Sequence, residues 1–178
     1  MSDWKFNVIH RDTEGNYCIS RSVSKYGDST NVQSGINIET DPRPAGVQFL
    51  VQGKIRILDS DGNHCSYAEV GERVAAPSLE IVQKGTGILL TVEDADYYCI
   101  TDNGVPVNYW DGSFTKLQPN ESAVINSVQG KRVFLPEAAN IDGIDYPKHT
   151  VLRIDSKDSI TVTNAGVTNV IATFWRDE

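Results

Sequence analysis

A chain of 178 residues with 24 acidic and 16 basic side chains carries a formal charge of −8. That charge disfavours phosphate backbones and anionic membrane surfaces, and the basic residues are scattered, so neither nucleic acid nor membrane is expected as a partner. At this length roughly 70% of the unfolded chain's surface is buried on folding, so no metal or disulfide is needed to hold the fold. The opening MSDWKFNVIH lacks a basic region followed by a long apolar core, and no stretch approaches the ~20 apolar residues of a membrane span. Cys18, Cys65 and Cys99 are far apart and odd in number, which suits buried thiols in a reducing compartment. A soluble protein, intracellular at least when made, is expected.

Along the chain the apolar pattern has a period of two almost throughout. Residues 24–34, SKYGDSTNVQS, read as a polar, turn-rich insertion. DPRPAG (41–46) cannot be a central strand, because each proline lacks a ladder donor. VQFLVQGKIRIL follows, with Val47, Phe49 and Val51 on one face, a break at Gly53, then Ile55 and Ile57. Asp61–Gly62 predicts a hairpin turn, and LEIVQKGTGILLTVED predicts two strands around Gly85–Gly87. In VEDADYYC, alternation puts Asp94 and Asp96 on the face opposite Glu93, as a solvated rim or as an acid–base pair. Residues 102–116, DNGVPVNYWDGSFTK, read as a second insertion with turns at Asn103–Gly104 and Asp111–Gly112. One helical turn is expected at Pro136–Ala139, hairpin turns at Asp142–Gly143 and Asn164–Gly166, and strands on either side. VQGKIRIL (51–58) is echoed by VQGKRVFL (128–135), either as a duplicated barrel or as a chance recurrence of common β residues. The pattern predicts an all-β sandwich or barrel with long loops and little helix.

From Phe49 to Pro77 the sequence resembles the cupin family of small jelly-roll barrels. FLVQG supplies a strand and Gly53, DSDG the hairpin turn, and GERVAAP, from Gly71, the opening of the family's second motif. The likeness covers about residues 33–100, which would form the core of a single β domain spanning 1–178, with an elaborated β half at about 117–178. It implies a metal held by histidines, yet with Gly35 as the first motif's glycine, Asp41 and Arg43 occupy the histidine positions. Gln48 is the nearest polar residue to the missing glutamate, and Ile81, Val82 and Gln83 stand where the last histidine belongs. An arginine has no lone pair to offer a cation. His10, His64 and His149 lie elsewhere, so no metal and no cofactor is expected. Asp59, Asp61 and Asn63 are spaced like the start of a calcium loop, but His64 and Val70 replace its glycine and glutamate. Neither a Gly-x-Ser-x-Gly elbow nor a phosphate-cradling loop occurs.

A jelly roll without its family's ligands points to a non-enzymatic structural protein. The expected role is a bacteriophage virion component, a capsid decoration or head–tail accessory protein made in the host cytoplasm and located in the virion. Its partners would be other virion proteins and copies of itself, in a homo-oligomer. Aromatic residues among turn formers and near the chain ends, Trp4, Tyr109, Trp110, Phe114 and Trp175, are the candidate protein contacts. The alternative is a metal-free cupin-type enzyme or a small-ligand (sugar) binding protein using polar residues inside the barrel.

Overall fold

The computed structural model describes residues 6–31, 47–58, 61–71, 88–101 and 110–176, less the side chains of residues 30, 31, 64 and 65. Among these the chain is all-β, built of antiparallel sheets, with no helix. It divides between Trp110 and Asp111 into two compact units.

The first unit holds a six-stranded sheet built around two long strands, β4 (Val47–Leu58) and β6 (Ile88–Thr101). Its order is β1-β2-β6-β4-β5, with β1 at Asn7–Arg11, β2 at Cys18–Ser24 and β5 at His64–Ala68. A short β3, Ser29–Asn31, pairs with the start of β6, so part of the expected 24–34 insertion is strand. The connection from β2 to β3 is fixed by Asp28, whose carboxylate accepts from the Lys25 amide at 2.8 Å, and by Gly27 N–H to Thr91 O at 2.8 Å. Gly53 sits at φ +84 in a run of register shifts between Leu50 and Ile55, where β4 bulges against β6. A bulge places an extra residue in one strand and bends it, and glycine reaches positive φ without steric cost. Asp61–Gly62 lies between β4 and β5 with Gly62 at φ +83, as the turn chemistry predicts.

The second unit has two four-stranded sheets, β11-β10-β13-β8 and β12-β9-β14-β7. In chain order these are β7 (Trp110–Leu117), β8 (Ser122–Asn126), β9 (Arg132–Leu135), β10 (Ala139–Ile141), β11 (Ile144–Tyr146), β12 (Thr150–Arg153), β13 (Ser159–Asn164) and β14 (Asn169–Arg176). Strict alternation on β13 sends Ile160 and Val162 into a core with Val133, Leu135, Ile141 and Ile171. Asp142 (φ 50) and Gly143 (φ 88) both take positive φ between β10 and β11, the tight hairpin geometry their residue types select.

Two local expectations are corrected. Pro136–Ala139 forms no helical turn: the buried Asn169 side chain accepts from Glu137 N (3.2 Å) and donates to Glu137 O (3.1 Å), taking both backbone groups a turn would use. Asp111–Gly112 is not a turn but part of β7, with the Gly112 amide donating to the Asp111 carboxylate at 2.8 Å. The echoed segments also differ. Gly53 lies within a strand, whereas Gly130, at φ +79, lies in the turn before β9, its amide on Ile154 O at 2.7 Å.

Candidate functional site

Strand pairing in the first unit gathers an unusual set of side chains on one face of the sheet. Ser20 lies opposite Cys99, Ser22 opposite Tyr97 and Ser24 opposite Ala95. From the other side, Gln48 lies opposite Cys99 and Leu50 opposite Tyr97. Directly opposed residues share a face, so this face runs from an apolar end to a polar one. The apolar end is Ile55, Ile57, Leu89 and Ala68, packed as a core with Leu50 and Ala95. The polar end holds Ser20, Ser22, Ser24, Gln48, Tyr97 and Cys99, all buried.

Gln48 and Tyr97 are the centre of the polar end. The Tyr97 hydroxyl donates to Gln48 Oε1 at 2.6 Å, which fixes the amide with its Nε2 turned away. Gln48 is 1% exposed, and Nε2 has no hydrogen-bond partner among the described residues. Such a donor costs about 1–3 kcal/mol when left unmade, so a buried native example calls for an explanation. Burial pushes the Tyr97 phenol well above its ordinary value, with the neighbouring Cys99 adding to the rise, so the hydroxyl stays protonated. Beside it Ser22 and Ser24 share a hydrogen bond at 3.1 Å, and the Cys18 thiol meets Thr101 Oγ1 at 3.3 Å. Neither Cys18 nor Cys99 is in a disulfide, and both are buried.

These donors do not fit a divalent cation. The glutamine oxygen already accepts the phenol proton, its nitrogen is a donor only, and the phenol is held neutral. No cluster of three His, Cys, Asp or Glu side chains occurs among the described residues. Asp41, Arg43 and residues 81–83, where the family's ligands would fall, lie outside the described residues, as does Asp59.

The opposite face of the same strands is held differently. Arg21 forms a bidentate pair with Asp96, Nε and Nη2 each at 2.8 Å, and lies 5.6 Å from the Tyr98 ring centroid; Tyr98 stacks on Phe49. Asp96 is therefore not a rim carboxylate, and with its guanidinium partner it is not half of an acid–base pair with Asp94. Asp94 is the exposed one, accepting from the Tyr26 amide at 2.9 Å. His10 bonds the Tyr17 hydroxyl at 3.2 Å, and His149 stacks on Phe134, in the second unit. Of the proposed contact residues, Trp4 and Tyr109 lie outside the described residues. Trp110 is 3% exposed and meets the Tyr17 ring edge-on. Phe114 and Trp175 are half-buried, with Lys131 Nζ 4.1 Å from the Trp175 ring centroid.

The second unit carries a cavity of about 170 Å³ with Ile141, Ile144, Tyr146, Leu152, Ile154 and Ile160 in its wall. Its charges are paired with one another, Lys157 with Asp142 at 2.9 Å and Arg153 with Asp155 at 2.8 Å. Asp142 accepts from the Thr161 amide (2.9 Å) and from Lys157, and these bonds hold its carboxyl below the usual carboxylate range. A carboxyl depressed by folding contributes stability above its unfolded pKa that is lost as pH falls through the folded one. Asp142→Asn, which tolerates the same positive φ, is therefore expected to be less stable than the wild type at pH 7. The gap should narrow only as pH falls past the ordinary Asp value of about 3.9 and through the lowered folded one; urea midpoints measured at falling pH test it.

No family model matches the chain, and no curated protein matches it. Solved structures do, along nearly the whole length. HutD from Pseudomonas fluorescens SBW25 is 12% identical over 98% of this chain and 90% of its own, with a TM-score of 0.53. The bacterial pirin YhhW from Escherichia coli, in complex with nickel(II), is 12% identical over 98% and 91%, with a TM-score of 0.50. A Cupin 2 conserved barrel domain protein from Leptotrichia buccalis also matches, at 10% identity over 98% and 89%, with a TM-score of 0.47. At these identities the likeness to HutD and to pirin shows the fold alone, and it agrees with the cupin-like fold the sequence resembles. It also corrects the expected role: the chain shares its fold with proteins of bacterial cells such as HutD and pirin, and the reading as a bacteriophage virion component, with its virion location, is withdrawn. The inference failed because missing metal ligands and an all-β composition are equally compatible with a jelly roll that binds small molecules.

Proposed function

We propose that this protein binds a small molecule without a metal, at the polar end of the buried face formed by β2, β6 and β4. The observation that carries the reading is Gln48: a fully buried amide, oriented by the Tyr97 hydroxyl, whose Nε2 lacks an acceptor among the described residues. A ligand oxygen would supply that acceptor. Ligand sites place a few fixed polar groups within mostly apolar walls, and Leu50, Ala95 and Ile55 provide such walls beside Gln48, Tyr97 and the serines. Binding is proposed rather than catalysis, because no paired acid and base occurs on this face among the described residues.

The test is a small-molecule screen by ligand-detected NMR on chelator-treated protein, wild type against Gln48→Leu. Leucine removes the orphaned donor and costs Tyr97 one acceptor, so stability should change by only about 1 kcal/mol. Ligands of the wild type are expected to survive chelation and to weaken at least roughly tenfold in Gln48→Leu. Hits that bind both proteins equally, or that vanish with the chelator, would sink the reading.

A further inference from the structure

We infer that the site selects an uncharged, oxygen-rich ligand and discriminates against anions and cations, with Gln48 as the specificity-determining residue. This rests on the binding reading above and adds the ligand's chemical class to it. The buried polar side chains of this face, Ser20, Ser22, Ser24, Gln48, Tyr97 and Cys99, carry no acidic or basic side chain among them.

Formal charges on these strands and on β1 lie across the sheet or at exposed positions. Arg21 and Asp96 face the other side of the sheet and neutralise each other at 2.8 Å. Arg11, opposite Cys18, is exposed. Glu93 is exposed as well, four residues from Tyr97 along β6 and so about 13 Å away. Lys54, opposite Glu93, sits 4.3 Å from the Tyr67 ring centroid.

A charged ligand brought against this face would lose water and gain no counter-charge from the described side chains of the face, a cost of several kcal/mol. An uncharged hydroxyl or carbonyl loses less, and the face offers what it needs. Gln48 Nε2 donates and the serine hydroxyls donate or accept, while the Tyr97 proton is committed to Gln48. The phenol is held neutral, so the face gains no anion near neutral pH. Both partners of the Tyr97–Gln48 bond are buried, so the donor direction is fixed before the ligand arrives.

The experiment compares three probes on one frame, glucose, glucuronate and glucosamine, by titration calorimetry against wild type, Gln48→Leu and Gln48→Glu. Glucose is expected to bind the wild type at least roughly tenfold more tightly than either charged analogue, and to weaken in Gln48→Leu. Gln48→Glu, which keeps an acceptor for Tyr97 but adds a buried negative charge, should shift preference toward glucosamine. Glucuronate or glucosamine binding as well as glucose, with the affinity still dependent on Gln48, overturns the inference and leaves the binding reading standing. If none of the three binds, the inference is overturned, and the broader screen decides the binding reading separately. A thermal unfolding curve for each variant keeps loss of fold distinct from loss of affinity.

Discussion

Gly53→Ala should destabilise the protein by about 4 kcal/mol or more, a size reached only by the severest single substitutions, while Gly130→Ala should cost about 1–2 kcal/mol. Both glycines stand in the same local sequence, VQGK, and both hold positive φ, +84 and +79. The backbone penalty for alanine is thus shared. The surroundings differ. A Cβ at Gly53 would lie 2.1 Å from the Asp94 carbonyl oxygen and 2.8 Å from Ala95 Cα, and nothing lies within 4 Å of one at Gly130. The obstructing atoms at Gly53 are backbone, so no side-chain rotation relieves the clash. Relief requires prising β4 away from β6, the two longest strands of the sheet, which run side by side from Val47–Ile100 to Leu58–Ile88. Against a total stability of about 5–15 kcal/mol, the variant would be poorly folded or unfolded at 37 °C. Urea midpoints of both variants measure the difference, and equal midpoints would show that the bulge is not held by this approach.

The contrast between the two glycines shows how far the sequence could be read. Where a feature follows from residue chemistry over a few positions, the reading holds. Gly62 and the Asp142–Gly143 pair take the positive φ their turns require, and SITVTN alternates on β13. Where a feature depends on what lies across the sheet, local pattern fails. VQGK occurs in a bulge and again in a turn. Pro136 suits a helix start, but a distant asparagine captures the backbone of Glu137. Asp111–Gly112 has turn chemistry, yet these residues are drawn into β7.

The candidate site was illegible for a related reason. In CISRSVS the period-two pattern alternates Ser20, Ser22 and Ser24 with Ile19, Arg21 and Val23, and serines in such a pattern read as the solvent face. The fold buries the serines instead: Ser22 is 0% exposed, and on the other face Ile19 is buried while Val23 is 59% exposed. The available signals were a lone glutamine in the apolar run VQFLV and a tyrosine in YYCI. Neither reveals its partner until β4 and β6 pair and set Gln48 near Tyr97. The cupin likeness was legible because it lies in glycines and turns, features that report backbone geometry directly. Function was not, because the same backbone serves many sites.

Asp96→Ala should cost about 2–3 kcal/mol, less than the 3–5 kcal/mol for breaking a fully buried pair, because the Arg21 side chain keeps 26% of its exposure. Removing the carboxylate deletes two charge-assisted bonds and leaves a guanidinium beside Tyr98 and Phe49 with less water than it needs. Replacing both partners, Arg21→Met with Asp96→Leu, removes the stranded charge along with the bond and should recover most of the loss. The cycle of wild type, two single variants and the double, followed by urea unfolding, isolates the pair's coupling. A double variant no better than Asp96→Ala alone would mean that Asp96 acts through something other than Arg21. The same variants separate the two faces of the sheet. If the carboxylate on one face is structural and the uncharged groups on the other bind the ligand, Asp96→Ala lowers the unfolding midpoint and leaves affinity within about twofold, a few tenths of a kcal/mol. Gln48→Leu does the reverse. A large loss of affinity in folded Asp96→Ala would move the site to the Arg21–Asp96 face and overturn the assignment to Gln48 and Tyr97.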